Sequence, residues 1–349
     1  MTNAAFPHAT GPEVWIGEEL ASDHAYVLSA KQARDLAEVA RRFEPDAATF
    51  AQVNFRELLP SLAPLMSDVS RMLVAGRGAA LVRGVPVGDL DESQCAVACW
   101  ALGVFVGQGV SQSSAGDLIG YVRDDNHPIR SYLNRSKLRY HVDLADLVGL
   151  LCVRKAKVGG QSMVASSLAL HNEMAKAHPE YLEALEGAFH WSRNNEQGVD
   201  EAPFSQPIPM FTREGGQVSC RFASSMIRRG AEAADTKLTP LQEEALDFME
   251  STAARFAYAS YLEPGDLQLL NNYTTLHNRT EFEDWPQPGC KRLLLRLWLR
   301  YDGIRNFGTH QQRMRNEPLI YDRQGRTPRE LCDLASADSI SSTNEETHK

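Results

Sequence analysis

The stretch of sequence that most restricts the fold is Arg292 to Arg300, RLLLRLWLR. In an extended strand successive side chains point to opposite sides, so the leucines at 293, 295, 297 and 299 would share one face. The opposite face would carry Arg292, Leu294, Arg296, Trp298 and Arg300. A helix would instead scatter these leucines around its circumference. The segment therefore predicts a strand with one apolar face and one face that carries arginines.

Short apolar runs broken by Gly, Asn and Asp occupy the middle of the chain, as at 117–122 and 148–153. Such runs are typical of an all-β sandwich or barrel. Helical patterns lie before, within and after this region, at about 29–43, 55–76, 91–106, 166–188 and 239–256. Pro179 is expected to interrupt the fourth of these helices, since proline disrupts a helix interior. The chain therefore predicts a β-rich core with helices around it.

A chain of 349 residues is long enough to bury a sizeable core. We expect one domain over residues 1–329, in which helices at 29–76 pack on a β core at about 79–300. The remaining residues, 330–349, are polar and are expected to form a disordered tail. Oligomeric state leaves little trace in a sequence, and a homo-oligomer is compatible with this one.

Composition excludes several classes of partner. The formal charge of −9 and the isoelectric point near 5.6 leave no basic surface for nucleic acid or anionic lipid. No apolar stretch is long enough to span a bilayer, and the first twenty residues do not resemble a secretory signal, so a cytoplasmic location is expected. The six cysteines form no C-x-x-C pair and are expected to be reduced and mostly buried. The expected partner is a small molecule.

A metal site of two imidazoles and one carboxylate is written H-x-D/E plus a distant histidine. The chain contains three H-x-D/E patterns, where its ten histidines and 45 acidic residues in 349 predict about one by chance. Two of them, at His171 and His178, lie in a predicted helix or at its break, where residues two apart diverge, and are expected to be plain surface residues. His141-Val-Asp143 lies between a loop and an apolar run, where extended geometry lets both side chains reach one metal ion.

A second sequence pattern supports His141 and Asp143 as metal ligands. The segment Tyr261 to Thr280 contains a Pro-Gly turn, an apolar run and then His277, and the arginine-bearing strand follows. A buried arginine is costly unless an anion pairs with it. Because the guanidinium group suits bidentate contact with carboxylates, this strand predicts a site for a carboxylate ligand.

The order of these motifs resembles that of the taurine dioxygenase and clavaminate synthase-like family of iron(II)- and 2-oxoglutarate-dependent oxygenases. The resemblance extends from about 79 to about 300. It consists of His141-Val-Asp143, Gly159-Gly-Gln-Ser162, Pro264-Gly-Asp266…Asn272…His277, and Arg292 with Arg296. It implies an α+β protein with a mainly β core, a double-stranded β-helix of the cupin-like jelly-roll type, with flanking helices.

The resemblance also implies roles for individual residues. His141, Asp143 and His277 would be the catalytic residues that hold Fe(II). Ser162 and Arg292 would bind the distal C5 carboxylate of 2-oxoglutarate.

Arg296 would contact the inner carboxylate of 2-oxoglutarate or an anionic group of the substrate. From their positions in the chain, Tyr140 and the segments 112–114 and 204–210 are further candidates to line the substrate pocket.

The function expected is that of a dioxygenase that consumes O2 and 2-oxoglutarate, releases succinate and CO2, and most often hydroxylates a small, anion-bearing substrate. The same chemistry can instead lead to desaturation or cyclisation. Two alternatives are a cupin-like metalloenzyme that does not use 2-oxoglutarate and a non-catalytic sensor that binds it. Succinate release coupled to substrate oxidation distinguishes the expected function from both.

Overall fold

The computed structural model describes residues 7–113, 116–125, 133–197 and 200–305, so the predicted disordered tail at 330–349 lies outside the described residues. Within these ranges the strands are β1 (Ala25–Val27), β2 (Ala79–Arg83), β3 (Gln108–Val110), β4 (Ile119–Val122), β5 (Leu147–Arg154), β6 (Val158–Gly159), β7 (Ser162–Ser166), β8 (Ala188–Phe189), β9 (Ile208–Pro209), β10 (Phe211–Glu214), β11 (Gln217–Cys220), β12 (Tyr258–Ser260), β13 (Leu267–Asn271), β14 (Thr275–Arg279), β15 (Phe282–Glu283) and β16 (Leu293–Arg300).

The α-helices of the same ranges are α1 (Ala30–Ala40), α2 (Ala47–Gln52), α3 (Phe55–Leu58), α4 (Ala63–Ala75), α5 (Glu92–Gly103), α6 (Ser167–Ala177), α7 (Pro179–Glu186), α8 (Ser224–Ala233) and α9 (Pro240–Phe256). The side chains of Asp91 and Thr239 accept hydrogen bonds from the third residue of α5 and α9 respectively, which completes a capping box at each start. None of the helices in the described ranges has the length and apolar character needed to cross a membrane.

The residues of the predicted metal and co-substrate site lie on or next to two sheets. The larger has the strand order β1-β2-β13-β5-β16-β3, and β4 also pairs with β16. The smaller has the order β12-β7-β14, and isolated bridges of His141 with His277 and with Ala223 extend it beyond β14. Side chains of both sheets meet in one buried cluster, which includes Val148, Leu270 and Trp298 of the large sheet and Val164 of the small one.

Helices cover the outer face of each sheet. The four alternating leucines of β16 pack in a core with residues of α1, α4 and α5, as their strict alternation predicted. A second core joins α6, α7 and α9 to Leu276 and Ala165 of the small sheet. The inner faces therefore enclose the space in which the arginine-bearing side of β16 lies, and the predicted jelly-roll core with flanking helices is confirmed.

The structure corrects the helix predicted at 55–76. It is broken into α3, a short 3-10 turn that begins at Pro60, and α4. Proline lacks an amide donor and clashes with the preceding helical turn, so a continuous helix through this position is disfavoured. The predicted break at Pro179 is observed, since α6 ends at Ala177 and Pro179 begins α7.

Candidate active site

The two histidines are brought together by their own backbones. The amide of His141 donates to the carbonyl of His277 and the amide of His277 donates to the carbonyl of His141, each at 3.0 Å. Because a mutually bonded antiparallel pair places both side chains on the same face of a sheet, the two rings lie side by side, with centroids 4.4 Å apart. The register of the small sheet thus sets the distance between the two imidazoles.

Asp143 is held by a separate contact. Its amide donates to Oδ1 of Asn272 at 3.1 Å, and Nδ2 of Asn272 donates to the carbonyl of Ala145 at 2.9 Å. Asn272 therefore clamps the backbone on both sides of Leu144, at the position from which the carboxylate of Asp143 projects. Asn272 itself is fully buried.

One ligand atom from each of His141, Asp143 and His277 lies within 4.8 Å of the others. Nε2 of His277 is 3.8 Å from Oδ2 of Asp143, and this buried oxygen has no hydrogen-bond partner in the described parts of the chain. Nδ1 of His141 donates to the carbonyl of Arg139 at 2.9 Å, which leaves the lone pair on Nε2 for a metal. Two imidazoles and this carboxylate oxygen form the donor set expected of a non-haem iron(II) site.

The protonation states also suit a metal. Burial, and then the neighbouring His141, lower the pKa of His277 to about 3, so its ring is neutral at neutral pH. Burial opposes ionisation of Asp143, but Arg296 and the two histidines outweigh it and hold the pKa of this carboxyl below its usual value. The site therefore presents a carboxylate at Asp143 and a neutral imidazole at His277, the forms in which these groups bind metals.

A pocket opens directly beside these three residues, between the two sheets. Its polar lining comes from His141, Asp143, Ser162, His277, Asn278, Arg279, Arg292 and Arg296, and its apolar lining comes from Val122, Leu138, Leu150, Leu262 and Leu294. The side chains predicted to hold the metal and the co-substrate thus line one cavity.

Arg292 is a buried cation. It is 5% exposed, and Nη1 has no hydrogen-bond partner within the ranges that the structure describes. Burial lowers the pKa of this guanidinium to about 10, which still leaves it protonated at neutral pH. A charge in this condition is stabilised by an anion in the pocket.

The Gly-Gly turn explains how Arg292 and Ser162 can share this part of the pocket. Gly160 has φ of +73°, and a Cβ atom there would lie 3.3 Å from Nε of Arg292. Gly159 has φ of +75°, and its added Cβ would lie 2.3 Å from the carbonyl oxygen of Glu281. Both positions need the conformational freedom and the small size of glycine. Ser162, which follows the turn, donates to Oε1 of Gln268 at 2.9 Å.

Arg296 contacts one of the candidate metal ligands directly. Its Nη1 is 3.2 Å from Oδ1 of Asp143, and its Nε donates to Oε1 of Gln112 at 2.7 Å. Gln112 in turn donates to the carbonyl of Arg296 at 2.9 Å. Gln112 of the predicted segment 112–114 therefore orients Arg296, while Ser114 lies outside the described residues.

Arg279 was not predicted. It lines the same pocket, is 5% exposed, and lies on β14 two residues after His277. Burial, and then Arg292, lower the pKa of Arg279 to about 9. The sequence carried a signal for it, because side chains two residues apart on a strand share a face.

Two candidates for the substrate pocket lie outside the pocket that the metal ligands line. Tyr140 is 3% exposed and packs in the second core, because it alternates with His141 and Asp143 along an extended segment and points to the other side. The segment 204–210 contributes Ile208 and Met210 to the same core and does not line the pocket.

The other two H-x-E patterns do not join the site. His178 is half-exposed, and its Nδ1 is 3.1 Å from Glu180, as expected of a surface residue. The surface position predicted for His171 is wrong, since the residue is fully buried and its Nε2 is 2.8 Å from Nη2 of Arg213. Arg213 belongs to β10, a distant strand whose approach the local pattern around His171 does not reveal.

Replacing Asn272 with alanine is expected to weaken both the fold and the metal site. The change leaves the buried amide of Asp143 and the carbonyl of Ala145 unpaired, which costs about 1–3 kcal/mol for each group. Loss of a residue that orients a metal ligand typically lowers metal affinity about 10–100-fold. Urea unfolding and metal titration measure the two effects. Unchanged metal affinity in Asn272→Ala would contradict the role of the clamp.

Comparison with known proteins agrees with this geometry. Residues 32–298 match the model of the family described as taurine catabolism dioxygenase TauD, TfdA family. The chain belongs to the TauD/TfdA family. FR-33289 synthase of Streptomyces rubellomurinus is 30% identical to this TauD/TfdA protein over 317 residues, covering 86% of this chain and 92% of that one. The taurine hydroxylase-like protein SAT17 of Stachybotrys chartarum is 24% identical over 304 residues, covering 81% and 77%.

Solved structures share the fold of this TauD/TfdA chain. Asparagine oxygenase in complex with Fe(II), 3-hydroxyasparagine and succinate has a TM-score of 0.63 at 18% identity, covering 79% of this chain and 93% of that one. The non-heme iron oxygenase OrfP in complex with Fe and alpha-ketoglutaric acid has a TM-score of 0.56 at 15% identity, covering 80% and 94%. Family membership confirms the predicted enzyme class, a non-haem iron dioxygenase of the 2-oxoglutarate-dependent kind.

Proposed function

We propose that this enzyme uses Fe(II), O2 and 2-oxoglutarate to hydroxylate a small organic substrate that bears a carboxylate or another anionic group. The observation that carries the proposal is that His141, Asp143 and His277 line the same pocket as the buried, incompletely paired guanidinium of Arg292. A metal site alone would not need that cation. A metal site with a carboxylate anchor beside it suits a chelating dicarboxylate.

Five polar residues of the pocket have defined roles in this proposal. His141, Asp143 and His277 hold the metal and leave its remaining positions open to ligands. Arg292 would bind the distal carboxylate of 2-oxoglutarate, and Ser162 would donate to it after turning its hydroxyl away from Gln268, so that the keto acid end is directed toward the metal. With bound iron(II), the chemistry supplied is activation of O2 coupled to decarboxylation of 2-oxoglutarate, so that one oxygen atom enters succinate and the other enters the product.

The apolar residues around the site control access of water. Leu138, Val122 and Leu262 line the pocket together with Leu150 and Leu294. A reactive centre enclosed by such side chains is protected from solvent, and substrate C–H groups can pack against them. The protein thus supplies orientation and exclusion of water, while the oxidative chemistry belongs to the metal.

The proposed substrate class rests on Arg296. This side chain is 8% exposed, lines the pocket and contacts Asp143, so an anionic group of a substrate held there would lie next to the metal. The relatives support a small polar acid, since asparagine oxygenase was solved with 3-hydroxyasparagine and OrfP with L-Arg. Both of these ligands are amino acids and carry a carboxylate.

Replacing Arg296 with alanine is expected to raise the Michaelis constant for the substrate at least about tenfold, the scale of one lost charged hydrogen bond. The Michaelis constant for the co-substrate should change much less. Initial rates with each of the two compounds varied in turn measure both constants. Because Arg296 also contacts Asp143, metal affinity is titrated in the same variant, and rates are compared at saturating metal. Equal changes in the two constants would contradict a role in substrate binding.

Anaerobic spectroscopy of the iron(II) protein tests the proposed function. Addition of 2-oxoglutarate should produce a weak visible charge-transfer band, and His141→Ala should abolish it. His178→Ala, which changes a surface histidine of the same H-x-E type, should retain the band. Absence of the band in the unaltered protein would favour a metalloenzyme that does not use 2-oxoglutarate. A band without succinate formation in the presence of any candidate substrate would favour a sensor.

A further inference from the structure

Arg279 lies directly opposite Ser162 in the small sheet. The two residues are antiparallel partners in the pairing of β14 with β7, and His277 is the partner of Val164 two positions away. Directly opposed side chains of an antiparallel pair share a face, with Cβ atoms about 5 Å apart. Arg279 therefore projects on the side of the sheet that carries both the candidate metal ligand His277 and the candidate carboxylate ligand Ser162.

The guanidinium of Arg279 is only partly satisfied by the protein. Nε donates to the carbonyl of Thr280 at 3.2 Å, and Nη2 donates to the carbonyls of Asn134, at 2.9 Å, and Ser136. Nη1 is buried and has no hydrogen-bond partner among the residues that the structure describes. A cation that is 5% exposed, with one donor left over in a pocket, is best stabilised by an anion there.

Arg279 and Arg292 both line this pocket and lie near the ring of Phe282. Their Cζ atoms lie 4.6 and 5.1 Å from the centroid of the same ring, that of Phe282. Each guanidinium has an Nη1 that no described residue pairs, and two cations near one buried ring repel each other unless negative charge lies between or beside them. A carboxylate accepts through both oxygens and can take donors from more than one guanidinium.

We propose that Arg279 is a second cationic anchor for the distal carboxylate of 2-oxoglutarate and that it connects this carboxylate to the chain segment 133–138. The inference rests on the proposed function. It adds a second anchoring residue and a coupling between the carboxylate site and the segment 133–138. Nη1 faces the co-substrate, while Nη2 holds the carbonyls of Asn134 and Ser136.

The segment 133–138 has a direct effect on the pocket. The amide of Leu138 donates to the carbonyl of Arg279 at 2.9 Å, and the side chain of Leu138 lines the pocket. His141 follows Leu138 by three residues in the chain. Filling the carboxylate site therefore restrains Arg279, which in turn steadies the wall of the pocket and the approach to a metal ligand.

Calorimetric titration of the Mn(II)-loaded protein tests the anchor. Two keto acids are compared, 2-oxoglutarate and 2-oxobutanoate, which lacks the distal carboxylate. Arg279→Gln should weaken binding of 2-oxoglutarate at least about tenfold, the scale of one lost charged hydrogen bond, and should change binding of 2-oxobutanoate less than about twofold. Arg135→Gln, which alters a mostly exposed arginine of the same segment, should change neither.

Two other outcomes of this titration would contradict the inference. An equal loss for both keto acids would mean that Arg279 only braces the segment, and no loss for either would mean that it does not contact the carboxylate. Either result overturns the inference while leaving the proposed function intact. Failure of the unaltered protein to bind 2-oxoglutarate would instead overturn the proposed function, and this inference with it.

Hydrogen exchange of the segment 133–138 tests the coupling. In the unaltered protein 2-oxoglutarate should slow exchange there, and 2-oxobutanoate should not. In Arg279→Gln the effect of 2-oxoglutarate should disappear, and if it persists unchanged the coupling is wrong. Arg279→Lys keeps the charge, so it serves if the glutamine variant does not fold, and its selective loss of affinity for 2-oxoglutarate should be smaller than that expected for glutamine.

Discussion

Replacing Asp143 with alanine is expected to lower turnover at least about a thousandfold, because the metal then keeps two imidazoles and loses its anionic ligand. The same change removes the carboxylate that Nη1 of Arg296 contacts at 3.2 Å. Breaking a buried ion pair by removing one partner typically costs about 3–5 kcal/mol, so the free energy of unfolding of the metal-free protein should also fall. Turnover and urea unfolding measure the two effects separately.

Glu180→Ala is the matched control for this variant. Glu180 occupies the acidic position of another H-x-E pattern, but its side chain is half-exposed and contacts the surface residue His178. Turnover of this variant should stay within about twofold, since exposed ion pairs contribute little to stability. If Asp143→Ala kept its activity and metal affinity, the assignment of the metal site would be wrong.

Replacing Arg292 with methionine is expected to have opposite effects on co-substrate binding and on stability. Removing one partner of a buried charged contact costs about 2–5 kcal/mol in binding, so affinity for 2-oxoglutarate should fall at least about thirtyfold. The metal-free protein should become more stable by about 1–4 kcal/mol, because an incompletely paired buried charge is replaced by an apolar side chain of similar length. Calorimetric titration and thermal unfolding record the two changes.

Arg300→Gln is the control on the same strand. Arg300 lies at the end of β16, on the face that also carries Arg296, but it does not line the pocket. Its replacement should leave affinity for 2-oxoglutarate within about twofold, because Arg300 is partly exposed and does not line the pocket. A loss of stability in Arg292→Met, with unchanged affinity, would show that Arg292 has a structural partner and is not a co-substrate anchor.

Local patterns predicted the elements that depend on neighbouring residues. The alternation in 292–300 predicted β16 and the face that each side chain occupies, and the break at Pro179 followed from the chemistry of proline. The positions missed depend on contacts between distant segments. Arg213 reaches His171 across 42 residues, so the burial of that histidine was not visible in the helix around it.

Two other results could have been predicted with the rule already used for His141 and Asp143. Side chains two residues apart on an extended segment share a face, and adjacent ones do not. The same rule excludes Tyr140 from the pocket, since it precedes His141 directly. It also places Arg279 on the same face of β14 as His277. The alternation of side chains along the strand therefore held more information about the site than the metal motif alone.

The clamp between Asp143 and Asn272 joins residues that are 129 apart in the chain, and the contact between Asp143 and Arg296 joins residues 153 apart. Contacts of this sequence separation require closure of long loops, which slows folding and places such contacts among the last to form. The proposed metal-binding site should therefore be absent from collapsed intermediates and appear only with the complete topology. In refolding experiments, the onset of metal affinity would report the moment at which both sheets have assembled.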